Sequence, residues 1–354
     1  MNPRSEALLR ELTEAPGAPG YEGAVADILQ RELSPIGDCT RDNLGSFICR
    51  KEGDKSEPKV LLIAHMDEVS FMVKHVTSKG FIRFTPLGGW HDPVLLSSRV
   101  VVHTHKGALL GVIGSKPPHI VPPEDRKKPV PKDQMFIDVG AKDAKDAARM
   151  GVRPGDPIIP EGGFAKMGRG YLAKAMDNRA GCALMVETLT KAKRHPNVLY
   201  GAASAQEEVG ARGARTVAQT VMPDVCIVAE VGIAADVPGA PEESEHGVVG
   251  RGPQIFVFDA GLIPNLRLRD LAVSICEKAK IPYQFSAMER GATDAMHVSL
   301  TGSGVPSLYI GAPSRYIHSA ASFLHARDYD NTLKLLLALA KALDAKTVAA
   351  LTVR

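Results

Sequence analysis

The sequence predicts an α/β fold: a mostly parallel β-sheet flanked by helices, interrupted by a small β-rich insertion. Three observations carry that expectation. Apolar runs at 59–64 (KVLLIA) and 224–229 (DVCIVA) read as strands buried on both faces. Amphipathic helical patterns alternate with such runs, the order that βαβ units produce. Between residue 70 and about 165 this texture gives way to short β-type runs punctuated by Gly and Pro.

Taken in order, 5–14 and 22–33 read as helices, the first ended by Pro16 and Gly17 and the second by Pro35 and Gly37. Short strands follow through 38–50. The buried strand 59–64 then delivers His65 at its end. Inside the insertion, 80–84, 98–105, 107–114 and 155–164 read as strands. The stretch 117–131 is too proline-rich for regular structure and reads as a surface loop, and 143–150 is a helix stopped by Gly151. From 170 onward the alternation resumes, with helices over 178–192, 210–220, 266–280 and 330–345 and strands over 198–204, 224–229, 254–258 and 307–310. The simplest organisation is one catalytic α/β domain built from 1–69 and 166–354. A β-rich domain, 70–165, is inserted after the strand that carries His65.

Bulk properties exclude several classes. The 43 basic and 40 acidic side chains leave a net charge of +3, which gives no electrostatic case for nucleic acid or a membrane surface. No apolar run approaches the roughly 18 residues of a spanning helix. The N-terminus, MNPRSEALLRELTE, is charged and has no apolar core, so it does not read as a signal peptide. None of the five cysteines forms a CxxC pair, and Cys182, Cys226 and Cys276 sit among apolar residues as small buried hydrophobes. Reduced cysteines and the lack of a targeting segment give a cytoplasmic expectation.

In open α/β sheets the site lies at the carboxyl ends of the strands, so the polar residues that stop the buried strands carry the functional signal. His65 and Asp67 follow 59–64, Glu207 and Glu208 follow 198–204, and Glu230 follows 224–229. Asp177 precedes a helix, and His318 follows 307–310. Taken singly, each has a bland reading. A lone His after a strand is usually a packing residue, a lone Asp before a helix is an N-cap, and a Glu pair is a solvated edge. Together they are two His and five carboxylates at one sheet edge. His and carboxylate without Cys suit Zn, Co or Mn. Two metals about 3.5–4 Å apart need a bridging carboxylate and two further ligands each, which leaves carboxylates over for a general base and for a partner that orients a His. His103 and His105, which share a face of one strand, and His91 read as surface and loop residues. The run Asp125-Arg126-Lys127-Lys128 reads as a solvated loop.

The motifs IAHMDEV (63–69), AMDNRAG (175–181), AQEEVGARG (205–213), GATDA (291–295) and RYIHSA (315–320) resemble the tetrahedral aminopeptidases of metallopeptidase family forty-two, which also holds glutamyl aminopeptidases and proteins once labelled cellulases. The resemblance covers nearly the whole chain, including LGGWHDPVLL, GVIGSKPPH, FIDVGA and GVRPGD in the insertion. It implies the fold of the co-catalytic zinc exopeptidases and two divalent metal ions, Zn or Co before Mn. His65 and Glu230 would hold one ion, Glu208 and His318 the other, and Asp177 would bridge them, followed by a cis peptide. Asp67 would hydrogen-bond to His65 and set its tautomer. Glu207 would be the general base and acid, and Thr293 and Asp294 would line the substrate site.

The implied reaction is removal of N-terminal residues from short peptides. The implied assembly is a dimer paired through the insertion, and from six dimers a hollow tetrahedral dodecamer. The family usually carries Asp where this chain has Glu230, and Glu there is commoner in acylases and carboxypeptidases. The alternatives are therefore an acylase, deacetylase or carboxypeptidase-type amide hydrolase on the same scaffold, a non-catalytic assembly protein, and a polysaccharide hydrolase, in which the His residues would have no purpose.

Overall fold

The structure, a computed structural model, describes residues 1–352 except 125, 242, 243 and 245; Asp125 of the charged loop run lies outside the described residues. Two bodies of β-structure organise the chain, an eleven-stranded sheet and a closed six-stranded barrel among the described residues. The centre of the sheet is parallel. Val198–Ser204, Lys59–His65, Val225–Ile233 and Ser307–Arg315 lie side by side in that order. Their residues are buried almost without a break, as strands covered on both faces require.

Antiparallel strands extend both flanks. Phe47–Lys51 and Asp38–Arg41 lie beyond Val198–Ser204, and Ser322–His325, Gly170–Ala173 and Ala165–Met167 lie beyond Ser307–Arg315. The helix Met176–Lys191 packs under the central strands and is buried on nearly every face from Met176 to Leu189. Its buried polar side chains are each partnered, Asn178 with the Ala229 carbonyl, Arg179 with the Met66 carbonyl and Glu187 with the Tyr329 hydroxyl.

Register aligns the strand ends. Ser204 pairs with His65, and Val228 pairs with Ile63, so continuing that register sets Glu230 level with His65. His65 and Ser204 end their strands there, whereas Glu230, expected to follow its strand, lies inside one that continues to Ile233.

The chain leaves the sheet after His65 and enters the barrel at Ser70–Val76. The barrel closes in the order Ser70–Val76, Ile82–Leu87, Phe136–Asp138, Gly107–Gly114, Arg99–Thr104 and Pro157–Pro160. Its interior is filled by Phe71, Ile82, Val100, Val102, Ile137 and Ile158. The chain then returns, and Ala165–Met167 already belongs to the large sheet. The insertion helix, Ala144–Met150, is capped by the Asp143 side chain and ends at Gly151 with φ 107°, as its sequence predicts. No helix among the described residues is long and apolar enough to cross a membrane.

Candidate active site

His65 is 2% exposed. Its Nδ1–H donates to the backbone carbonyl of Asp67 at 3.1 Å, which turns Nε2 towards Asp177 Oδ1 at 3.0 Å and Glu230 Oε2 at 3.4 Å. His318 repeats the arrangement from the other side. Its Nδ1–H donates to the Gly89 carbonyl at 2.8 Å, and Nε2 stands 3.3 Å from Asp177 Oδ2 and 3.6 Å from Glu208 Oε2. A backbone acceptor on one ring nitrogen fixes the tautomer and presents the other nitrogen as a ligand. Two groups result, His65–Asp177–Glu230 and Asp177–Glu208–His318, with donor atoms within 4.8 Å of one another in each. Asp177 belongs to both, with one carboxylate oxygen turned to each.

Local chain geometry frees Asp177 for this. The backbone of Asp177 and Asn178 is non-helical, and the peptide between them is cis. The capping duty falls on Asn178, whose Oδ1 accepts from the Gly181 amide at 2.9 Å while its Nδ2 donates to the Ala229 carbonyl at 3.0 Å, next to Glu230. The N-cap expected of a lone Asp thus sits one residue later.

Asp67 differs from expectation. Its carboxylate lies 3.6 Å from His65 Nδ1, beyond hydrogen-bond length, and its backbone carbonyl orients the ring instead. The carboxylate accepts the amides of Glu207 and Glu208, both at 2.9 Å, and so holds the turn that carries both glutamates. Glu208 reaches the His318 group, whereas Glu207 Oε2 stands 3.9 Å from His65 Nε2 and belongs to neither group.

These residues line a pocket of about 530 Å3, with Val231, Ile233, Met288, Met296 and Ile317 as apolar wall and Arg290 as a cation on the rim. Thr293 lines it too, with its hydroxyl donating to Asp259 at 3.2 Å. Asp294 does not line it. That carboxylate is 1% exposed behind the site, where it accepts the Ser204 hydroxyl at 2.5 Å.

Burial dominates the electrostatics. It pushes Glu207 and Glu230 well above the carboxylate range and Glu208 up to about 8, with neighbouring carboxylates adding to each. Burial opposes protonation of His318, but Asp177 and Glu208 outweigh it and raise that ring to about 10. Such a cluster of crowded carboxylates gains from cationic charge. Glu208 Oε1 is buried without a hydrogen-bond partner among the described residues. Nearby Cys182 spends its thiol on the His65 carbonyl at 3.1 Å, leaving a hard His and carboxylate donor set. The residues present fit divalent metal.

Several contributors escaped the sequence reading. Gly88 and Gly89 come from the insertion, so that domain reaches the site although it supplies none of the expected ligands. Gly88 has φ 88°, and a Cβ there would meet Val69 Cγ1 at 2.8 Å and Glu208 Oε2 at 3.0 Å. Arg179, fully buried, donates to the carbonyl of Met66, which sits between His65 and Asp67, at 2.6 Å. Glu68 pairs with Lys174 at 2.7 Å beneath them. The Gly-Gly pair was a visible signal; the buried ion cluster had none.

The sequence pattern of the M42 glutamyl aminopeptidase family matches residues 45–335. The solved TET aminopeptidase of Thaumarchaeota archaeon SCGC AB-539-E09 superposes with a TM-score of 0.96 at 41% identity, covering 99% of each chain. An Escherichia coli (strain K12) protein named as an aminopeptidase, FrvX, is 40% identical over 344 residues, covering 96% of both. The Pyrococcus horikoshii TET1 peptidase, described as able to assemble into a tetrahedron or a large octahedral shell, matches with a TM-score of 0.86 at 29% identity over 96% of this chain and all of that one. With a matching family pattern over most of its length and relatives covered end to end, the chain belongs to the M42 family of aminopeptidases, hydrolases that act on peptides.

Proposed function

We propose that this aminopeptidase is a dinuclear metalloenzyme that removes N-terminal residues from short peptides. The observation that carries the reading is the division of the two Asp177 oxygens between two His and Glu pairs. His65 and Glu230 would hold one divalent cation, Glu208 and His318 the other, with Asp177 bridging. Zn or Co suits this donor set, and Mn is compatible with it. When bound, such ions supply Lewis acidity to a scissile carbonyl and lower the pKa of water.

The chain's own residues do the rest. Glu207 faces the pocket outside both groups and takes the proton of the attacking water, then passes it to the leaving amine. Asp67 keeps Glu207 and Glu208 on separate headings by fixing their amides. The free N-terminus of the substrate sits near Glu230. The apolar wall accepts an apolar first side chain, and Arg290 on the rim disfavours a basic one. Thr293 contacts the substrate from the wall; Asp294 acts from behind the pocket.

Assembly belongs to the same proposal. Leu110 and Val112 stand 54% and 40% exposed on the outer face of the barrel, as an interface strand would. We assign the insertion the role of pairing subunits into dimers, and six dimers a closed tetrahedral shell that admits short unfolded peptides to interior sites.

Leucyl anilide with a free amine and N-acetyl-leucine, assayed before and after chelation, test the function. The expected result is hydrolysis of the free-amine substrate alone, lost on chelation and restored by Zn or Co. Cleavage of N-acetyl-leucine instead would mark the acylase or deacetylase alternative. Metal-loaded protein that hydrolyses neither would mark an assembly protein.

A further inference from the structure

The turn that carries the two glutamates begins at Gln206, whose backbone is left-handed with φ 59°. Three successive amides leave this turn and meet two buried carboxylates. Asp67 takes those of Glu207 and Glu208. The third, from Gln206, goes to Glu22 Oε1 at 2.9 Å, from a residue 184 positions away in sequence. Glu22 is 5% exposed, and the same oxygen also accepts the Gly20 amide at 2.8 Å.

The loop before Glu22 is anchored at further points around the site. The Gly17 carbonyl accepts the amide of Glu68, which follows Asp67, at 3.0 Å. The Tyr21 hydroxyl donates to the Gly155 carbonyl of the insertion at 2.7 Å. This loop therefore spans the chain after His65, the chain after Ser204 and the barrel.

We infer that Glu22 is a positioning residue for the hydrolytic reaction: through one oxygen it fixes the backbone from which Glu207 projects. It does not line the pocket, so its effect passes through the turn and not through contact with substrate. The inference rests on the reading of Glu207 as proton carrier. Because Oε1 alone makes both bonds, a glutamine that keeps a carbonyl oxygen at that place preserves them. A methionine fills the volume and offers only a weakly accepting sulfur in place of the carboxylate oxygen.

The test uses full-length, metal-loaded enzyme with Glu22→Met, Glu22→Gln and Glu207→Gln. It reads kcat, KM, metal content and folded fraction for each, together with hydrogen exchange of the segment 203–210. The expectation for Glu22→Met is a kcat reduced tenfold to on the order of a hundredfold, the scale of a carboxylate misplaced by about 1 Å. KM stays within about threefold, metal content is unchanged, and exchange is faster in 203–210. Glu22→Gln is expected to stay within about threefold of wild type in kcat.

Normal turnover per folded molecule in Glu22→Met overturns the inference, because a merely structural role lowers stability alone. So does a Glu22→Gln that loses as much as Glu22→Met, because charge and not acceptor geometry would then matter. An active Glu207→Gln defeats the proton-carrier reading itself, whereas an inactive Glu207→Gln beside a normal Glu22→Met defeats only the role of Glu22.

Discussion

Replacing Arg179 by methionine should destabilise the protein by about 2–6 kcal/mol, the cost of leaving two buried carbonyls without a donor. The structure supplies the terms. Arg179 is fully buried, and its guanidinium donates to the carbonyls of Leu12 at 2.5 Å, Met66 at 2.6 Å and Ala15 at 2.9 Å, with longer contacts to Gly17 and Glu68. Methionine keeps most of the length and none of the donors. Glu68 remains paired with Lys174, so no bare charge is left behind. The loss therefore falls on the Leu12 and Met66 carbonyls at about 1–3 kcal/mol each, because Lys174 Nζ still donates to the Ala15 carbonyl at 3.3 Å. Urea unfolding followed by circular dichroism at fixed protein concentration measures it. Turnover should fall as well, because the Met66 carbonyl lies between His65 and Asp67. A destabilisation below about 1 kcal/mol would refute the argument that these carbonyls depend on Arg179.

Three further outcomes are expected. Arg290→Glu should raise kcat/KM for lysyl over leucyl anilide about threefold to tenfold, the modest scale of one exposed charge; an unchanged ratio would remove Arg290 from the specificity account. Burial raises the Asp236 carboxyl, but Arg315 at 2.9 and 2.5 Å outweighs it and holds it below 3.8. The thermal stability advantage of wild type over Asp236→Asn should therefore be complete above that value and shrink as pH falls through it towards the lower folded value, whereas an advantage that persists undiminished in acid would contradict the pairing. Light scattering should give the mass of twelve chains; a monomer would defeat self-association and a stable dimer only the closed shell.

The fold was legible where the sequence carries long, unbroken signals. The strands of the sheet centre are apolar runs, and His65 ends one of them as expected, whereas Glu208 lies in the turn after Ser204 and Glu230 sits inside a strand that runs on to Ile233 because Ser307–Arg315 keeps pairing beside it. Flanking strands such as Ala165–Met167, Gly170–Ala173, Ser322–His325 and Gln284–Met288 are three to five residues long, too short for a period to emerge, and they are set by pairing with distant neighbours. The expected helix start at residue 178 lies within Met176–Lys191, because the kink at Asp177 and Asn178 depends on tertiary contacts such as Asn178 to Ala229.

Within the site, the two His and five carboxylates were visible by type and place, and their distances were not. Sequence adjacency suggested that the Asp67 carboxylate serves His65, but the geometry turns it to Glu207 and Glu208. Asp294 follows Thr293 directly, yet the two point to opposite sides of the pocket wall. Glu22 and Arg179 were silent because each acts on backbone groups that are remote in sequence, and no spacing rule records such pairs.

The most direct test of the central claim is Glu207→Gln, with metal content by mass spectrometry and leucyl anilide turnover measured on one sample. The substitution keeps the shape and removes the ability to take a proton. The account predicts two divalent ions per chain, as in wild type, and activity lowered about a hundredfold or more. Activity above roughly a tenth of wild type with both ions bound would contradict it, since a proton carrier is worth at least about a hundredfold.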